Sequence, residues 1–466
     1  MVWPTSSICF STFYVLIFLS LYEILTSPTH YYSHALDTLL ALVVGVPVVS
    51  WALKAPFADS LASSYLMLTL LGQFTGIVGA QLFAFALVLS ARLRFMEFFF
   101  GGLDRLYVIH HRVGVIAFSL LAIHPIILAF RFIQDSIEDV MWYLMPFNNS
   151  PAREYGVYAL LLMLTLLFLT FYGSVFSYPA LKNAHRFMGG AFFLGTLHMF
   201  FIPSSMGSDI VLKVSCLGLA LIGCLAFTYR TLLGKFLVFR YPYSVSAVAD
   251  LGQGVTEITL SPRKKVLHHM PGQFAMLSFL GSKVVPNEEH PFTISSSRDN
   301  GDVRFSIKAL GDYTGLLPGL TIGTKALLEG PFGEFTYSHG SKKQIWIAGG
   351  IGVTPFVSMA EDLLAQDAID YTIDFYYSVR SEKDGAYKNL FDSLAKKHKG
   401  FIFHFMPSDT SGYVTGEGVA KDISDAPTRD IFICGPPGMM AALTASLVAS
   451  HIPVRKIHTE RFALLK

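Results

Sequence analysis

The N-terminal half of the chain carries seven apolar stretches, which lie between residues 7 and 230. A helix needs about 20 consecutive apolar residues to cross the hydrocarbon layer of a membrane, and most of these stretches approach that length. The later half has the composition of a soluble protein. This division predicts a membrane-spanning half followed by a globular half. The stretches are residues 7–25, 36–53, 62–90, 108–131, 155–175, 184–203 and 209–229, of which the second is the weakest because Gly45 and Pro47 interrupt it.

The overall composition favours a membrane protein and excludes other classes. Only 15% of the 466 residues are charged, against about 25% in soluble proteins, and the mean hydropathy is +0.49. The net charge of +2 is too small to indicate a nucleic-acid partner. The four cysteines form no CxxC pair or zinc-binding spacing, so disulfides and cysteine-bound metals are not indicated. The first stretch lacks a basic leader and a cleavage site, which favours a retained transmembrane helix over a signal peptide.

Basic residues in the short loops predict the orientation of the membrane half, because cytoplasmic loops carry an excess of Lys and Arg. An odd number of helices places three basic clusters on the same side as the C-terminal half, and that side is therefore predicted to be cytosolic. The loop 132–154 and the short loop around Met206 are then predicted to face outward. The clusters are Arg92, Arg94, Arg105 and Arg112, then Lys182 and Arg186, then Arg230, Lys235 and Arg240.

Histidines at membrane depth are the most informative residues of this half, because an ionisable side chain in lipid marks a functional site by default. His110 and His124 lie fourteen residues apart in the fourth stretch, and His185 and His198 lie thirteen apart in the sixth. These steps rise about 21 Å and about 19.5 Å along a helix. Two adjacent helices can therefore hold two b-type hemes, His110 with His185 on the cytosolic side and His124 with His198 on the outer side. Interfacial histidines or a proton relay are the alternative interpretation.

The helical geometry of these histidines leaves two questions open. A step of fourteen residues returns to within about 40° of the same helix face, but a step of thirteen misses it by about 140°. The sixth helix is therefore predicted to distort, for example by a π-bulge near Gly189, Gly190 or Gly195. His111 competes with His110 as a ligand. His110 is preferred because it gives the fourteen-residue step and leaves Gly114 four residues on, where a heme edge can lie.

Residues 237–335 read as short alternating strands separated by Gly and Pro turns, a pattern typical of a small antiparallel barrel. The motif His290-Pro291-Phe292-Thr293-Ile294-Ser295-Ser296 offers hydroxyl groups and an aromatic ring suited to a flavin. The motif Gly311-Asp312-Tyr313-Thr314-Gly315 resembles a glycine turn before a helix, where backbone N–H groups suit a pyrophosphate. The predicted strands are 243–249, 255–260, 274–279, 303–307 and 326–328.

From about residue 343 the pattern changes to strand, glycine loop and helix. Gly349-Gly350-Ile351-Gly352-Val353-Thr354-Pro355 follows one buried strand, and Cys434-Gly435-Pro436-Pro437-Gly438-Met439 follows another. Glycines let the backbone approach phosphates, Pro355 suits a first helical turn, and ligands of parallel sheets bind at these strand ends. Arg380 is a candidate for the 2′-phosphate of NADPH, with Tyr387 stacking nearby, or is a solvated surface arginine. In Glu460-Arg461-Phe462, Phe462 either lies on a flavin or is an ordinary packing residue.

The histidine pairs, HPFTISS, GGIGVTP and CGPPGM, in this order, resemble the ferric reductase and NADPH oxidase superfamily over about residues 60–466. The ERF near the end resembles bacterial members, although four residues follow Phe462 and the first apolar stretch is extra to the six helices of that family. The resemblance implies a multi-pass α-helical membrane domain plus a cytosolic ferredoxin-reductase-like module, with an antiparallel β-barrel FAD domain and an α/β parallel-sheet nucleotide domain. The implied division is extra N-terminal segments 1–60, heme-binding domain 61–235, FAD-binding barrel 236–338 and NAD(P)H-binding domain 339–466.

The resemblance also implies roles for individual residues. Thr293, Cys434 and Phe462 are the predicted catalytic residues, with Phe462 shielding the flavin until nicotinamide displaces it. Contacts with FAD are implied for His290, Pro291, Phe292 and Thr293, and contacts with its pyrophosphate for Gly311 and Thr314. The nicotinamide dinucleotide is implied to lie along Gly350, Gly352, Thr354, Cys434 and Gly435.

The predicted function is transmembrane electron transfer from NADPH, or NADH, through FAD and two b hemes. Hydride passes to FAD, and single electrons then pass to the inner heme and the outer heme. The expected acceptor is a small molecule, a ferric chelate in the first hypothesis or dioxygen, giving superoxide, in the second. The protein is predicted to lie in the plasma or inner membrane in contact with lipid, with no prediction for its oligomeric state. A membrane-anchored flavin reductase without heme is the alternative of another class.

Overall fold

The computed structural model describes residues 33–60, 63–147, 150–171, 183–203, 209–298 and 301–460. These residues form two compact units. The first runs up to Val238, and the second runs from Phe239 and also takes in the short segment Gly101–Asp104. The structure confirms the predicted fold class, with apolar helices in the first unit and an antiparallel and a parallel sheet in the second. The predicted stretch 7–25 lies outside the described residues.

Among the described residues, five helices are long and apolar enough to cross a membrane. Helix α2 is the central one, since 67% of its most apolar window is buried against 17–28% for the other four. Helix α6 covers the sixth predicted stretch but has only 14 described residues. The helices are α1 Leu36–Lys54, α2 Ser64–Ser90, α3 Leu103–Phe130, the short α4 Ile137–Leu144, α5 Pro151–Phe171, α6 Met188–Phe201 and α7 Ile210–Phe227.

Helices α1 and α6 depart from regular α geometry at places that bear on the sequence predictions. Helix α1, the weakest of the predicted stretches, contains a π-helical turn at Ala41–Gly45 before Pro47. In the sixth stretch, residues 183–186 are helical, Phe187 is a turn, and α6 begins at Met188. The predicted distortion between His185 and His198 therefore exists, but it falls at Phe187 and not at the glycines. A break close to His185 changes the direction of that imidazole while leaving the rest of α6 regular.

The barrel of the second unit is a six-stranded antiparallel sheet in the order β4-β3-β6-β1-β2-β5. Its two edges approach each other where the Ser295 N–H donates to the Arg304 carbonyl at 2.8 Å. Aromatic and branched side chains fill the interior, among them Tyr243, Phe279 and Phe305, each with 0% exposure. The strands are β1 Tyr241–Asp250, β2 Val255–Pro262, β3 Phe274–Leu280, β4 His290–Thr293, β5 Val303–Lys308 and β6 Lys325–Phe332, and the short helix α8 Asp312–Leu316 follows β5.

The rest of the second unit is a five-stranded parallel sheet in the order β11-β10-β7-β8-β9. Strand β7 lies in the middle and is buried on both faces, with Trp346 packed among aromatic rings and Ile345 and Ile347 on the opposite face. Parallel strands covered on both faces require such continuous apolar sequences. The elements are β7 Lys343–Gly349, α9 Thr354–Leu364, β8 Thr372–Val379, α10 Lys388–Lys397, β9 Phe401–Pro407, α11 Gly416–Asp422, β10 Asp430–Cys434, α12 Pro437–Ala449 and β11 Ile457–Glu460.

Candidate functional site

Two pairs of imidazole rings face each other in the membrane unit. The ring centres of His110 and His185 lie 6.2 Å apart with their planes at 77°. Those of His124 and His198 lie 6.4 Å apart at 75°. These are the pairs that the sequence predicts, and it is the ring of His110, not that of the competing His111, that faces His185.

Backbone carbonyls orient three of these four rings. The Nδ1 atom of His110 lies 2.9 Å from the carbonyl oxygen of Ala86, and that of His124 lies 2.7 Å from the oxygen of Gly72. In the second pair, Nδ1 of His198 lies 2.7 Å from the oxygen of Ala152. A carbonyl only accepts, so each Nδ1 carries the proton and each Nε2 presents a lone pair. A hydrogen bond of this kind is how proteins fix the direction of a metal-binding imidazole.

Glycines make room for the second pair of rings. A Cβ atom on Gly76 would lie 2.7 Å from the ring of His124, and one on Gly156 would lie 2.9 Å from that of His198. Real Cβ atoms do not approach other atoms this closely, so a side chain at either position would push the imidazole aside. The neighbouring backbone is therefore shaped around these two rings.

The spacing of each pair fits one iron atom held between two imidazoles. Metal–nitrogen bonds to imidazole are about 2 Å long, and the ring centre lies about 1.1–1.2 Å beyond the nitrogen, which places two ring centres about 6.3 Å apart. The described residues contain no cluster of three or more metal-binding side chains. A macrocycle such as heme is a group that can supply the remaining ligands. A Cβ on Gly114 or Gly195 would meet nothing within 4 Å, so both helices are open where the edge of such a group can lie.

Strand β4 places one buried hydroxyl group without a partner at the rim of the barrel. Thr293 is buried, and its Oγ1 atom has no hydrogen-bond partner among the described residues. Ser295 differs, because its hydroxyl lies 3.0 Å from that of Ser306 and the residue has 0% exposure. The structure thus gives Ser295 a role in closing the barrel, while the Thr293 hydroxyl remains available to a ligand.

The other predicted flavin residues occupy the same side of the barrel. The His290 ring stacks on Tyr313 with centres 3.9 Å apart, and its Nε2 atom lies 3.0 Å from a Glu288 carboxylate oxygen. The hydroxyl of Thr314 accepts from the Gly311 N–H at 3.0 Å, so Thr314 closes this turn from within. Pro291 and Phe292 lie between these features on β4 and are half-buried.

The two glycine loops meet at the carboxyl ends of adjacent strands β7 and β10. A Cβ on Gly352 would lie 2.5 Å from the carbonyl oxygen of Cys434 and 2.6 Å from the Cα of Gly435. Gly350 has a φ of 53° and open space where its Cβ would be. Thr354 and Pro355 begin α9. The loops are thus packed together at Gly352 and open at Gly350, where a phosphate can approach the backbone.

Cys434 ends β10 in full burial, and burial raises the pKa of its thiol well above the ordinary value. The thiol is therefore uncharged at neutral pH and can lie against a flavin or nicotinamide ring.

Arg380 follows directly after β8 and is exposed at the same edge of the sheet. Its carbonyl accepts from the Asp409 N–H at 3.1 Å, which fixes its backbone. Nearby, hydrogen bonds from Ser381 hold the pKa of Asp384 below its usual value, with a smaller contribution from the charges of Lys308 and Arg380. Phe462 lies outside the described residues.

Tyr387 joins the two lobes of the reductase unit. Its hydroxyl lies 2.5 Å from that of Ser306 and donates to a Glu257 carboxylate oxygen at 3.1 Å. An ion pair between Arg304 and Glu361 lies beside it. The Tyr387 hydroxyl thus anchors the nucleotide lobe to the barrel, and stacking of the Tyr387 ring near a nucleotide stays a prediction.

Glu460 is a residue that the sequence analysis did not single out as a site. It ends β11 opposite Cys434, its side chain is buried, and its Oε2 atom has no hydrogen-bond partner among the described residues. Burial raises the pKa of this carboxyl well above its ordinary value. An acidic residue at the end of a short strand, in register with a predicted catalytic cysteine, was the available signal.

The buried carboxyl of Glu460 makes stability depend on pH. Below about pH 4.5 the group is protonated in both states, and as the pH rises the unfolded chain ionises first, so folding stability falls by about 1.4 kcal/mol per pH unit until the folded pKa is reached. Glu460→Gln removes this dependence. We expect the temperature of flavin release, measured by fluorescence on the full chain, to fall less between pH 5 and pH 7 in the variant. Parallel profiles would show that the carboxyl is ionised in the folded state.

Comparison with known proteins agrees with this arrangement. Residues 75–201 match the family described as "Ferric reductase like transmembrane component", residues 240–336 match "FAD-binding domain", and residues 346–445 match "Oxidoreductase NAD-binding domain". The chain has a ferric reductase/NADPH oxidase-type architecture. With its membrane-length helices, it is an integral membrane NAD(P)H oxidoreductase that serves electron transfer across a membrane.

Individual relatives of this ferric reductase-type chain resemble its second unit. It is 25% identical over 255 residues to "Propane 2-monooxygenase, reductase component" of Rhodococcus jostii (strain RHA1), covering 51% of this chain and 68% of that protein. It is 27% identical over 182 residues to "NADH-cytochrome b5 reductase 1" of Dictyostelium discoideum, covering 37% and 64%. A crystal structure of the cytochrome b5 reductase domain of Ulva prolifera nitrate reductase is 17% identical with a TM-score of 0.42, covering 48% and 97%.

Proposed function

We propose that this protein carries electrons from cytosolic NADPH through FAD and two b hemes to a ferric chelate on the opposite side of the membrane. The observation that carries the proposal is the pair of imidazole gaps, 6.2 Å and 6.4 Å between ring centres, each matching the spacing that one iron requires. When bound, FAD supplies the conversion of a two-electron hydride into single electrons, and the hemes supply carriers at two depths of the membrane. The family match to residues 75–201 favours ferric iron as the acceptor.

The chain's own contribution in the membrane is to hold each iron at a fixed place. His110 and His185 are the proposed ligands of the inner heme, and His124 and His198 those of the outer heme. Protonated Nδ1 atoms on three of these rings keep Nε2 aimed into the gap. With two imidazoles committed to each iron, the chain would leave the acceptor to take electrons without binding that iron.

At the flavin, the chain supplies orientation and shielding from water. We assign FAD to the rim formed by His290, Pro291, Phe292 and Thr293, with the free hydroxyl of Thr293 as the donor nearest the ring. Gly311 and Thr314 shape the turn assigned to the pyrophosphate. Ser295 supports this rim through Ser306. Phe462, which follows the described residues, is the proposed aromatic cover of the flavin.

The carboxyl ends of β7 and β10 are proposed to bind the phosphates of the nucleotide and to position its nicotinamide. We assign the dinucleotide to the loops containing Gly350, Gly352, Thr354, Pro355 and Gly435. Uncharged Cys434 is proposed to lie at the nicotinamide, where a neutral thiol packs against the ring without placing a charge beside the site of hydride transfer. NADH can occupy the same loops without the 2′-phosphate.

Arg380 is the residue proposed to select NADPH over NADH. A guanidinium at this exposed strand end forms charge-assisted hydrogen bonds to a phosphate, each contributing about 1.5–3 kcal/mol. We expect Arg380→Ala to raise the KM for NADPH about tenfold or more and to leave the KM for NADH within about twofold. Lys383→Ala, which removes a nearby charge from the following turn, is the matched control. Equal effects on both nucleotides would remove Arg380 from the 2′-phosphate site.

The direction of transfer is tested by sealed vesicles with the protein inserted. With NADPH on the side of the reductase unit and an impermeant ferric chelate on the other side, we expect ferrous iron to form only in the chelate compartment. Adding a superoxide scavenger separates direct transfer from reduction through dioxygen. Reduction that is abolished by the scavenger, or that requires both reactants on one side, would contradict the proposal.

A further inference from the structure

Two arginines of the membrane unit converge on one tyrosine ring. The guanidinium carbons of Arg131 and Arg153 lie 5.1 Å and 5.4 Å from the centre of the Tyr143 ring. The Arg131 guanidinium also lies 5.4 Å from the ring centre of Tyr65 and 4.8 Å from that of Phe132. Aromatic rings hold guanidinium planes without using up their N–H donors.

The cluster of Arg131, Arg153, Tyr65, Phe132 and Tyr143 is formed by segments that lie close in the chain to the residues of the His124–His198 pair. Arg131 follows His124 by seven residues and comes directly after α3 ends at Phe130, about 10.5 Å further along the helix direction. Tyr65 precedes Gly72, whose carbonyl orients His124, by the same number of residues. Arg153 follows Ala152, whose carbonyl orients His198. Each element that builds the outer imidazole pair thus extends into the cluster.

Neither guanidinium has an anionic partner within the described part of the chain. Neither forms an ion pair with a carboxylate there, and the buried Nε atom of Arg131 has no hydrogen-bond partner. In the first turn of α4, the Asp139 carboxylate accepts a hydrogen bond from the Ser136 hydroxyl at 2.7 Å. Two guanidinium charges near one ring attract an anion, and the buried Nε atom of Arg131 is a donor that an anion can satisfy.

We propose that Arg131 and Arg153 bind the carboxylate groups of an anionic ferric chelate beside the outer heme. The inference rests on the function proposed above and names the class of acceptor, a polycarboxylate complex of ferric iron. Guanidinium and carboxylate form paired hydrogen bonds of matching geometry. The site lies next to the imidazole pair from which an electron would leave, so a bound chelate is positioned for transfer. No bond of the protein forms or breaks, and one electron reduces ferric to ferrous iron.

Carboxylates at this place have a second source, the propionate groups of the outer heme itself. The two sources differ in what they predict. Arginines that hold propionates tune the heme, so their loss changes its optical spectrum and slows every acceptor alike. Arginines that hold the acceptor leave the heme spectrum unchanged and affect anionic acceptors alone.

The first measurement is calorimetric titration of the full-length protein with gallium(III) citrate, which has the shape and charge of a ferric complex but takes no electron. Arg131→Gln and Arg153→Gln are each expected to raise the Kd about tenfold or more. Lys213→Gln is the matched control, because this exposed lysine near the start of α7 carries the same charge on the same side. An unchanged Kd in both arginine variants, or an equal rise in the lysine variant, would overturn the inference.

The second measurement compares acceptors of opposite charge. In Arg131→Gln, we expect the KM for ferric citrate to rise about tenfold or more while that for hexaammineruthenium(III), a cation, does not rise. A shifted heme spectrum with equal loss for both acceptors would assign the arginines to propionates and overturn the inference. Arginine-dependent gallium citrate binding by a protein that purifies without heme would instead contradict the proposed function and leave this site standing.

Discussion

A protein with alanine in place of His124 is expected to bind one heme per chain, where we propose that the native protein binds two. The Nε2 atom of His124 points toward His198 because its Nδ1 donates to the carbonyl of Gly72, and no other described imidazole faces His198. Removing one axial ligand leaves the iron with a single protein bond. Reduction of a ferric chelate should fall at least a hundredfold, on the order of the largest losses seen when metal-site residues are removed.

Two comparisons make this result specific. NADPH oxidation by a dye that takes electrons from the flavin should be unchanged in the variant, since that reaction needs only the reductase unit. His111→Ala, which removes an exposed imidazole from the same helix, should keep both hemes. Two hemes in the His124 variant, measured as pyridine hemochrome per chain, would show that this residue is not a ligand.

Alanine in place of Gly352 is expected to give the second large effect, on the use of NADPH. The added Cβ would lie 2.5 Å from the Cys434 carbonyl oxygen and 2.6 Å from the Gly435 Cα, so two backbone segments must separate. Overpacking of this kind costs about 1–3 kcal/mol. Because it moves the loops assigned to the nucleotide, we expect kcat/KM for NADPH to fall at least about tenfold.

Gly350→Ala provides the contrast for this prediction. Its Cβ meets no atom within 4 Å, although a φ of 53° makes alanine unfavourable by about 1–2 kcal/mol. This variant should retain its flavin and fold and should lose affinity for the nucleotide, with a raised KM and little change in kcat. If Gly352→Ala keeps native kinetics, the contact between the two loops does not position the nucleotide.

The sequence predicts those parts of the fold in which apolar residues form a clear local pattern. Long apolar stretches identify the membrane helices, and apolar strands followed by glycine loops identify the parallel sheet, because both signals lie within one element. The pairing of His110 with His185 and His124 with His198 follows from matched depth on two helices. Spacing alone could not locate the distortion at Phe187, which depends on packing around the turn that precedes α6.

Features that depend on tertiary contacts could not be predicted from the sequence. The partners of the Tyr387 hydroxyl, for example, come from barrel strands far away in the chain. Glu460 carries no local sign of burial, because its environment comes from the neighbouring strand β10 and the loop at Gly333. Arg131 and Arg153 lie on different segments of the chain, and only the fold brings both to Tyr143.

The optical spectrum of the purified full-length protein, recorded without oxygen before and after addition of NADPH, tests the central claim most directly. The account predicts the absorption bands of a b-type heme, two hemes per chain, their reduction by NADPH, and reoxidation that is faster with a ferric chelate than with air. Faster reoxidation by air would identify an oxidase of the same architecture. Absence of heme bands after expression with ample heme would contradict the account and leave a membrane-anchored flavin reductase.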